Sequence, residues 1–334
     1  MRIRRILPLV PALALLAVLA GCGAAGPGTD PAAGERPAPR IERAAAPLEP
    51  AGTVTDPNGT ELSLPTPPER IVCITGLCDD MLVELGIAPA GTSTPALLAN
   101  PVLLGEAAAA QVPTVAGSFG SEDVESIAAL DPDLVIGLGG VHDPLRSAIE
   151  QFAPLWTVEP STWQDSVGYL RALGALTGRT AEAVAAEERF RGILADAVDT
   201  TRETGQADRT VVLMYGSADT IGVDTTASVN GDLLAQLYDY PFAPRSADVE
   251  SGSAYNVEEI LAGQPDVVLA FSLLFSAEDR TLTDQLADNP VWQQVPAVQQ
   301  GAVHEMDPRL WGSGRGTRSL GAIVEQSLAV VPGR

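Results

Sequence analysis

Two arginines and a tryptophan near the carboxyl end, Arg309, Trp311 and Arg315 in DPRLWGSGRG, form the grouping best suited to holding a small molecule. An indole ring can stack on a chelate while guanidinium groups donate hydrogen bonds to its oxygen atoms. The chain has only two histidines, His142 and His304. A zinc or manganese centre needs several imidazoles and carboxylates to converge, so no protein-bound metal and no resident cofactor is expected. His304 lies in a strand pattern and reads as structural. His142 follows VIGLGG into a loop, where it could serve as an axial haem ligand opposite a tyrosine such as Tyr255. The glycine-rich GLGG and GSGRG stretches fit neither the dinucleotide nor the P-loop pattern, and G-x-S-x-G is missing. Asp79 and Asp80 are adjacent and need not converge as an acid/base pair. No nucleophile is evident, which leaves an exported α/β hydrolase only as the alternative of a different class.

These residues need elements to position them. Between Ile71 and Trp156, short apolar strands (RIVCIT, DLVIGL, LWTV) alternate with helical patterns, and Val211 to Val303 does the same with RTVVLMYG, DVVLAFS and GAVHEM. That alternation predicts an α/β protein with two Rossmann-like lobes of parallel sheet. The stretch VESIAALDPDLVI, Val124–Ile136, returns as VEEILAGQPDVVL at Val257–Leu269, one copy per lobe. Between the lobes, TAEAVAAEERFRGILADAVDTTRET carries Ala183, Ala186, Phe190, Leu194, Ala197 and Thr201 at helical spacing. At 1.5 Å per residue such a helix reaches about 37 Å, long enough to join both lobes as a single spine. The expected organisation is a leader at 1–21, a flexible Ala/Pro/Gly-rich tether at 22–50, an N-terminal lobe at 51–162, a bridging helical segment at 163–204 and a C-terminal lobe at 205–334.

The leader has Arg2, Arg4 and Arg5 before the apolar run ILPLVPALALLAVLA and ends in LAGC. LAGC resembles a bacterial lipobox, which implies cleavage before Cys22 and lipidation of its thiol, holding the protein on the outer face of the cell membrane. Loss of the leader moves the net charge from −23 to −26, and every basic residue is an arginine. So acidic a chain repels nucleic acid at long range. In an exported protein Cys73 and Cys78 are either bridged or two buried thiols, and sequence leaves both open.

Taken together, PPERIV, DDMLVELGIAPAG, VAGSFGSEDVESIAALDPDLVIG, YNVEEILAGQPDVVLA and VWQQVPAVQQGAVHEMDPRLWGSGRG resemble, in order and spacing, the extracytoplasmic substrate-binding lipoproteins of ATP-driven (ABC) importers for iron-siderophores, cobalamin and haem, the class III periplasmic binding proteins. The resemblance covers Val54 to Leu328. It implies two α/β lobes joined by one long helix, no enzymatic activity, a monomer that captures a ferric chelate, and delivery to a dimeric permease. It places Glu125 and Glu258, at the same position of the two repeats, as the acidic residues that meet arginines of the permease. A ligand would sit beyond the carboxyl ends of the strands. The candidates there are Thr75, Phe119, His142 and Trp163 from the first lobe, and Tyr215, Phe271, Arg309, Trp311 and Arg315 from the second. The acidic chain favours a neutral or cationic hydroxamate over an anionic catecholate. Haem or cobalamin is the alternative cargo.

Overall fold

Ile71, Val72 and Cys73 are all buried, and this run of apolar residues forms β1 (Ile71–Cys73), a central strand with helices on both faces. The computed structural model describes residues 39–246, 253–272 and 279–334. In the first lobe β1, β2 (Gly91–Thr92), β3 (Leu134–Leu138) and β4 (Leu155–Val158) make a parallel sheet in the order β2-β1-β3-β4. In the second lobe β5 (Val211–Ser217), β6 (Thr220–Val223), β7 (Val267–Ser272) and β8 (Val303–Glu305) are ordered β6-β5-β7-β8. There β6 is antiparallel to β5 and the remaining pairs are parallel. The edge strand β6 was not apparent in the sequence, because TIGV is short and follows β5 after a two-residue turn. His304 lies in β8, opposite Leu269.

The repeated stretch builds one device twice. Helices α2 (Val124–Ala128) and α6 (Val257–Ala262) start on side-chain caps, Asp123 and Asn256. Each passes through a left-handed residue, Asp131 (φ 49°) and Gln264 (φ 47°), into the Pro-Asp pair. The aspartate then turns back to the entry of β1 in the first lobe and of β5 in the second. Asp133 accepts from the Glu69 and Arg70 amides at 2.7 and 3.0 Å, and Asp266 accepts from the Thr210 amide at 3.1 Å. The duplication therefore encodes how a helix is stapled to the neighbouring strand, with a non-glycine residue in left-handed backbone at both copies.

Two helices bridge the lobes. α3 (Trp163–Leu176) starts in a capping box made by Thr162 and Asp165, and α4 (Thr180–Glu203) follows after Gly178. Ala183 and Ala186 of α4 pack in the first lobe's core, while Phe190, Leu194, Ala197 and Val198 pack in the second's. At about 36 Å, α4 is thus the spine that its apolar spacing predicted. Of the expected tether at 22–50, residues 22–38 lie outside the described residues and residues 39–50 pack on the bridging helices. They run extended along α3 and α4, held by Arg43 to Asp196 (2.7 Å), the Ala45 amide to Glu188 (3.2 Å) and Arg171 to the carbonyls of Ala46 and Pro47. Such a segment has no periodicity to read, because its anchors are main-chain groups and scattered ion pairs. The leader and Cys22 lie outside the described residues. Among the described residues, no helix is long and apolar enough to cross a membrane.

A second link crosses between the lobes. α1 (Gly76–Glu84) aims the carboxylate of Asp80 at the first turn of α8 (Thr317–Val330), where it accepts from the amides of Arg318 (3.1 Å) and Ser319 (2.7 Å) and from the Ser319 hydroxyl (2.6 Å). An anion satisfying the orphan amides of a helix start is favourable for that helix. The approach is so close that a Cβ on Gly316 would lie 2.2 Å from Asp80. Glu84, one turn on, accepts from Arg189, Arg318 and Thr317. Cys73 and Cys78 are joined by a disulfide, with Cα atoms 5.4 Å apart, that ties the end of β1 to α1.

Candidate ligand-binding cleft

The carboxyl ends of the strands open onto a cavity of about 500 Å³. Its first-lobe wall is Thr75 and Gly76 at the start of α1, Ser93 and Thr94 after β2, the hairpin residues Gly117 to Phe119, and Glu122. Its second-lobe wall is Tyr215, Asp224, Phe271 and, from α7 (Pro308–Ser313) and the residues after it, Gly312, Ser313 and Arg315. Tyr215 and Phe271 stack with ring centroids 5.3 Å apart and planes 11° from parallel, giving an aromatic wall. Tyr215 fits because Gly222 on β6 lacks a side chain; a Cβ there would come within 2.3 Å of the phenol ring. From the opposite lobe Phe119 is 67% exposed, an apolar ring with nothing over its outer face. Exposed aromatic surface at a cavity mouth marks a place for a ligand.

Of the nine sequence candidates, Thr75, Phe119, Tyr215, Phe271 and Arg315 come together on this cavity and four do not. Trp311 is fully buried in the second lobe's core, its indole donating to Gln326 at 2.8 Å, so it cannot act as a plate. Trp163 is buried against Phe190, beneath the guanidinium of Arg191. Arg309 is exposed on α7 and is not part of the lining. His142 is fully buried behind Phe119. Its Nδ1 accepts from the Leu138 amide at 2.7 Å, which leaves Nε2 to donate to Glu122 at 3.2 Å. Both ring nitrogens are engaged, so neither is free for a haem iron. Tyr255, its suggested partner, donates to the Ala243 carbonyl at 2.8 Å and does not line the cavity. Among the described residues, no three His, Cys, Asp or Glu side chains gather as a metal site.

Sequence reasoning missed Thr94, Glu122 and Asp224. Thr94 and Thr92 donate their hydroxyls to one oxygen of Asp79, which fixes the loop after β2 as the cavity floor. Among the described residues the other oxygen of Asp79 is buried without a partner, and burial pushes its carboxyl up to about 7 against the two hydroxyl bonds. Burial likewise raises Asp80 to about 6, opposed by its bonds to Ser319. The two acids point to different partners, so they form no acid/base pair. Asp224 lies between β6 and α5 (Val229–Leu237), so it could not be found while that strand went unseen. Burial raises its carboxyl and the charge of Arg315 opposes the shift. Glu122 holds His142 through Oε1, while its Oε2 has no partner among the described residues.

Glu125 and Glu258 are both exposed in the first turns of α2 and α6, the two equivalent repeat helices.

A family model described as periplasmic binding protein matches residues 71–310. The Fe(3+) dicitrate-binding periplasmic protein FecB of Escherichia coli (strain K12) is 25% identical over 272 residues, 80% of this chain and 85% of that one. A probable siderophore-binding lipoprotein, YfiY of Bacillus subtilis (strain 168), is 24% identical over 288 residues, 82% of this chain and 85% of its own. Among solved structures, the iron uptake ABC transporter substrate-binding protein PiuA of Streptococcus pneumoniae superposes with a TM-score of 0.66 at 21% identity, covering 84% of this chain and 98% of that one. Two α/β lobes on a helical spine, a cleft at their strand ends and a family match spanning both lobes lead to one conclusion: the chain belongs to the periplasmic binding protein family.

Proposed function

We propose that this protein is the extracytoplasmic substrate-binding component of an ABC importer and that it carries a ferric siderophore, a hydroxamate in preference to a catecholate or citrate complex. The observation that carries the cargo reading is the composition of the cleft. An aromatic wall of Tyr215 and Phe271 faces an exposed Phe119, and the charged lining is Glu122 and Asp224 against the single guanidinium of Arg315. A chelate brings its own ligands for iron, so the protein need offer none. Stacking surface and a few polar groups suffice. A polyanionic complex would meet two carboxylates and one cation there, whereas a neutral or cationic hydroxamate meets no such opposition. The ferric dicitrate named for FecB is therefore a poor match to these side chains, even though that relative supports iron as the cargo. The engagement of both nitrogens of His142 argues against haem.

Lipidation at Cys22 would keep the protein at the membrane beside its permease, in keeping with the lipoprotein YfiY. Glu125 and Glu258, one on each lobe, would steer docking onto a two-fold receptor by charge. Reversing both to arginine should abolish uptake and leave ligand affinity intact; unchanged uptake refutes that role. The cargo is tested by titrating the purified protein with ferric hydroxamate, ferric catecholate, ferric citrate, haem and cobalamin at fixed salt. Saturable binding of the ferric hydroxamate, absent with the metal-free chelator, is expected. Binding of haem or cobalamin alone overturns the siderophore reading.

A further inference from the structure

The cleft does not end at the aromatic chamber. A second compartment of about 470 Å³ adjoins it, and Leu138, Tyr215, Asp224 and Arg315 line both. Either volume alone falls within the range of about 300–1,000 Å³ that holds a small ligand. Their linings differ in aromatic content. The first has Phe119, Tyr215 and Phe271, while the second adds no further aromatic ring among the described residues and presents Glu159, Ser161, Thr225 and Ser228. The Glu159 carboxylate makes no ion pair among the described residues. At the waist Arg315 donates to the Gly312 carbonyl at 2.8 Å, which commits part of its guanidinium to α7. Among the described residues the second compartment is thus a mixed space, with Leu138, Val141, Val223 and Val229 beside its hydroxyls, two carboxylates, Glu159 and Asp224, and one cation at its entrance. A compact chelate on the aromatic wall would leave it unfilled. A cation placed there would meet Glu159 at the exposed rim and Asp224 deeper in, beside Arg315, where charge pairs are screened less than on open surface.

We propose that this compartment receives an extended arm of the bound chelate ending in a primary ammonium group, which pairs with Glu159 and Asp224 while the iron-bearing core lies against Tyr215 and Phe271. The inference rests on the siderophore reading above. It narrows the ligand to linear, amine-terminated hydroxamates. Isothermal titration of the purified protein with ferrioxamine B, a linear ferric trihydroxamate with a terminal ammonium, and with its N-acetylated form tests it, because the two share their iron-binding core. The amine form should bind about fivefold tighter, the scale of one exposed charge pair. Glu159→Gln, at an exposed position, should bring the ratio of the two affinities to within about twofold. Ser161→Arg, also exposed, places a competing cation in the compartment and should abolish or reverse the preference. Equal affinity for the two chelates, or a preference that survives both substitutions, overturns the arm site and leaves the siderophore reading standing. Failure of both chelates to bind while ferric citrate binds overturns the reading beneath it.

Discussion

Replacing Asp79 with asparagine should change how the stability of this protein depends on pH. Asp79 is fully buried under the cleft floor, with one oxygen accepting from Thr92 and Thr94 and the other unpartnered. Burial lifts its carboxyl from the ordinary 3.8 to about 7. The folded protein therefore keeps a proton that the unfolded chain releases near pH 4. Between about pH 4 and pH 7 the native state binds more protons than the unfolded state, so this group's contribution to stability falls as pH rises and is fully lost above about 7. At 1.36 kcal/mol per pKa unit the loss is roughly 4 kcal/mol. Asparagine keeps an oxygen for the two threonine hydroxyls but has no proton to lose. Urea unfolding of both proteins at a series of pH values and constant ionic strength isolates the effect, because every other acid is common to the two. The variant should gain on the parent by several kcal/mol between pH 4 and pH 8. A stability difference that stays constant over that range refutes the argument that Asp79 is buried at the expense of its charge.

Two further outcomes follow from the packing. Replacing both Cys73 and Cys78 by alanine should cost about 2 kcal/mol, the entropy of the short loop they close, read as a lowered urea midpoint. Trp311→Ala should cost about 3–5 kcal/mol in thermal or urea unfolding, as for a large side chain removed from a core. A loss below about 1 kcal/mol would return Trp311 to the cleft surface.

The architecture was legible where a pattern repeated or a period persisted. The duplicated helix-to-strand stretch marked two lobes, and the apolar spacing from Ala183 to Thr201 marked the spine, because both rest on main-chain geometry and burial over many residues. The cleft was legible in part. Strand ends located Thr75, Tyr215 and Phe271, since an α/β sheet presents its carboxyl ends to the ligand. The same rule misplaced Trp311 and Trp163, because an indole is equally at home in a core: Gln326, which accepts from Trp311, lies fifteen residues on, and Trp163 is held by its ring contacts with Phe190 and Arg191. His142 looked available because nothing in the sequence joins it to Glu122, twenty residues earlier. Thr94, Glu122 and Asp224 are polar residues in short connections whose role depends entirely on what folds against them. The disulfide was undecidable for the same reason: five residues of separation permit a bridge only when a strand end and a helix start bring the two Cα atoms close, here to 5.4 Å.

The central claim is that ligand is held between the aromatic wall of the second lobe and the exposed ring of the first, with Arg315 at the waist. Isothermal titration of a ferric trihydroxamate into the unmodified protein, Phe119→Ala and Arg315→Ala tests it most directly. Phe119 is exposed, so its loss should leave stability within about 0.5 kcal/mol. Saturable binding of the ferric complex, weakened by about tenfold or more in each variant, is the result this account predicts. Binding that is indifferent to both substitutions, or no binding by the unmodified protein, would contradict it.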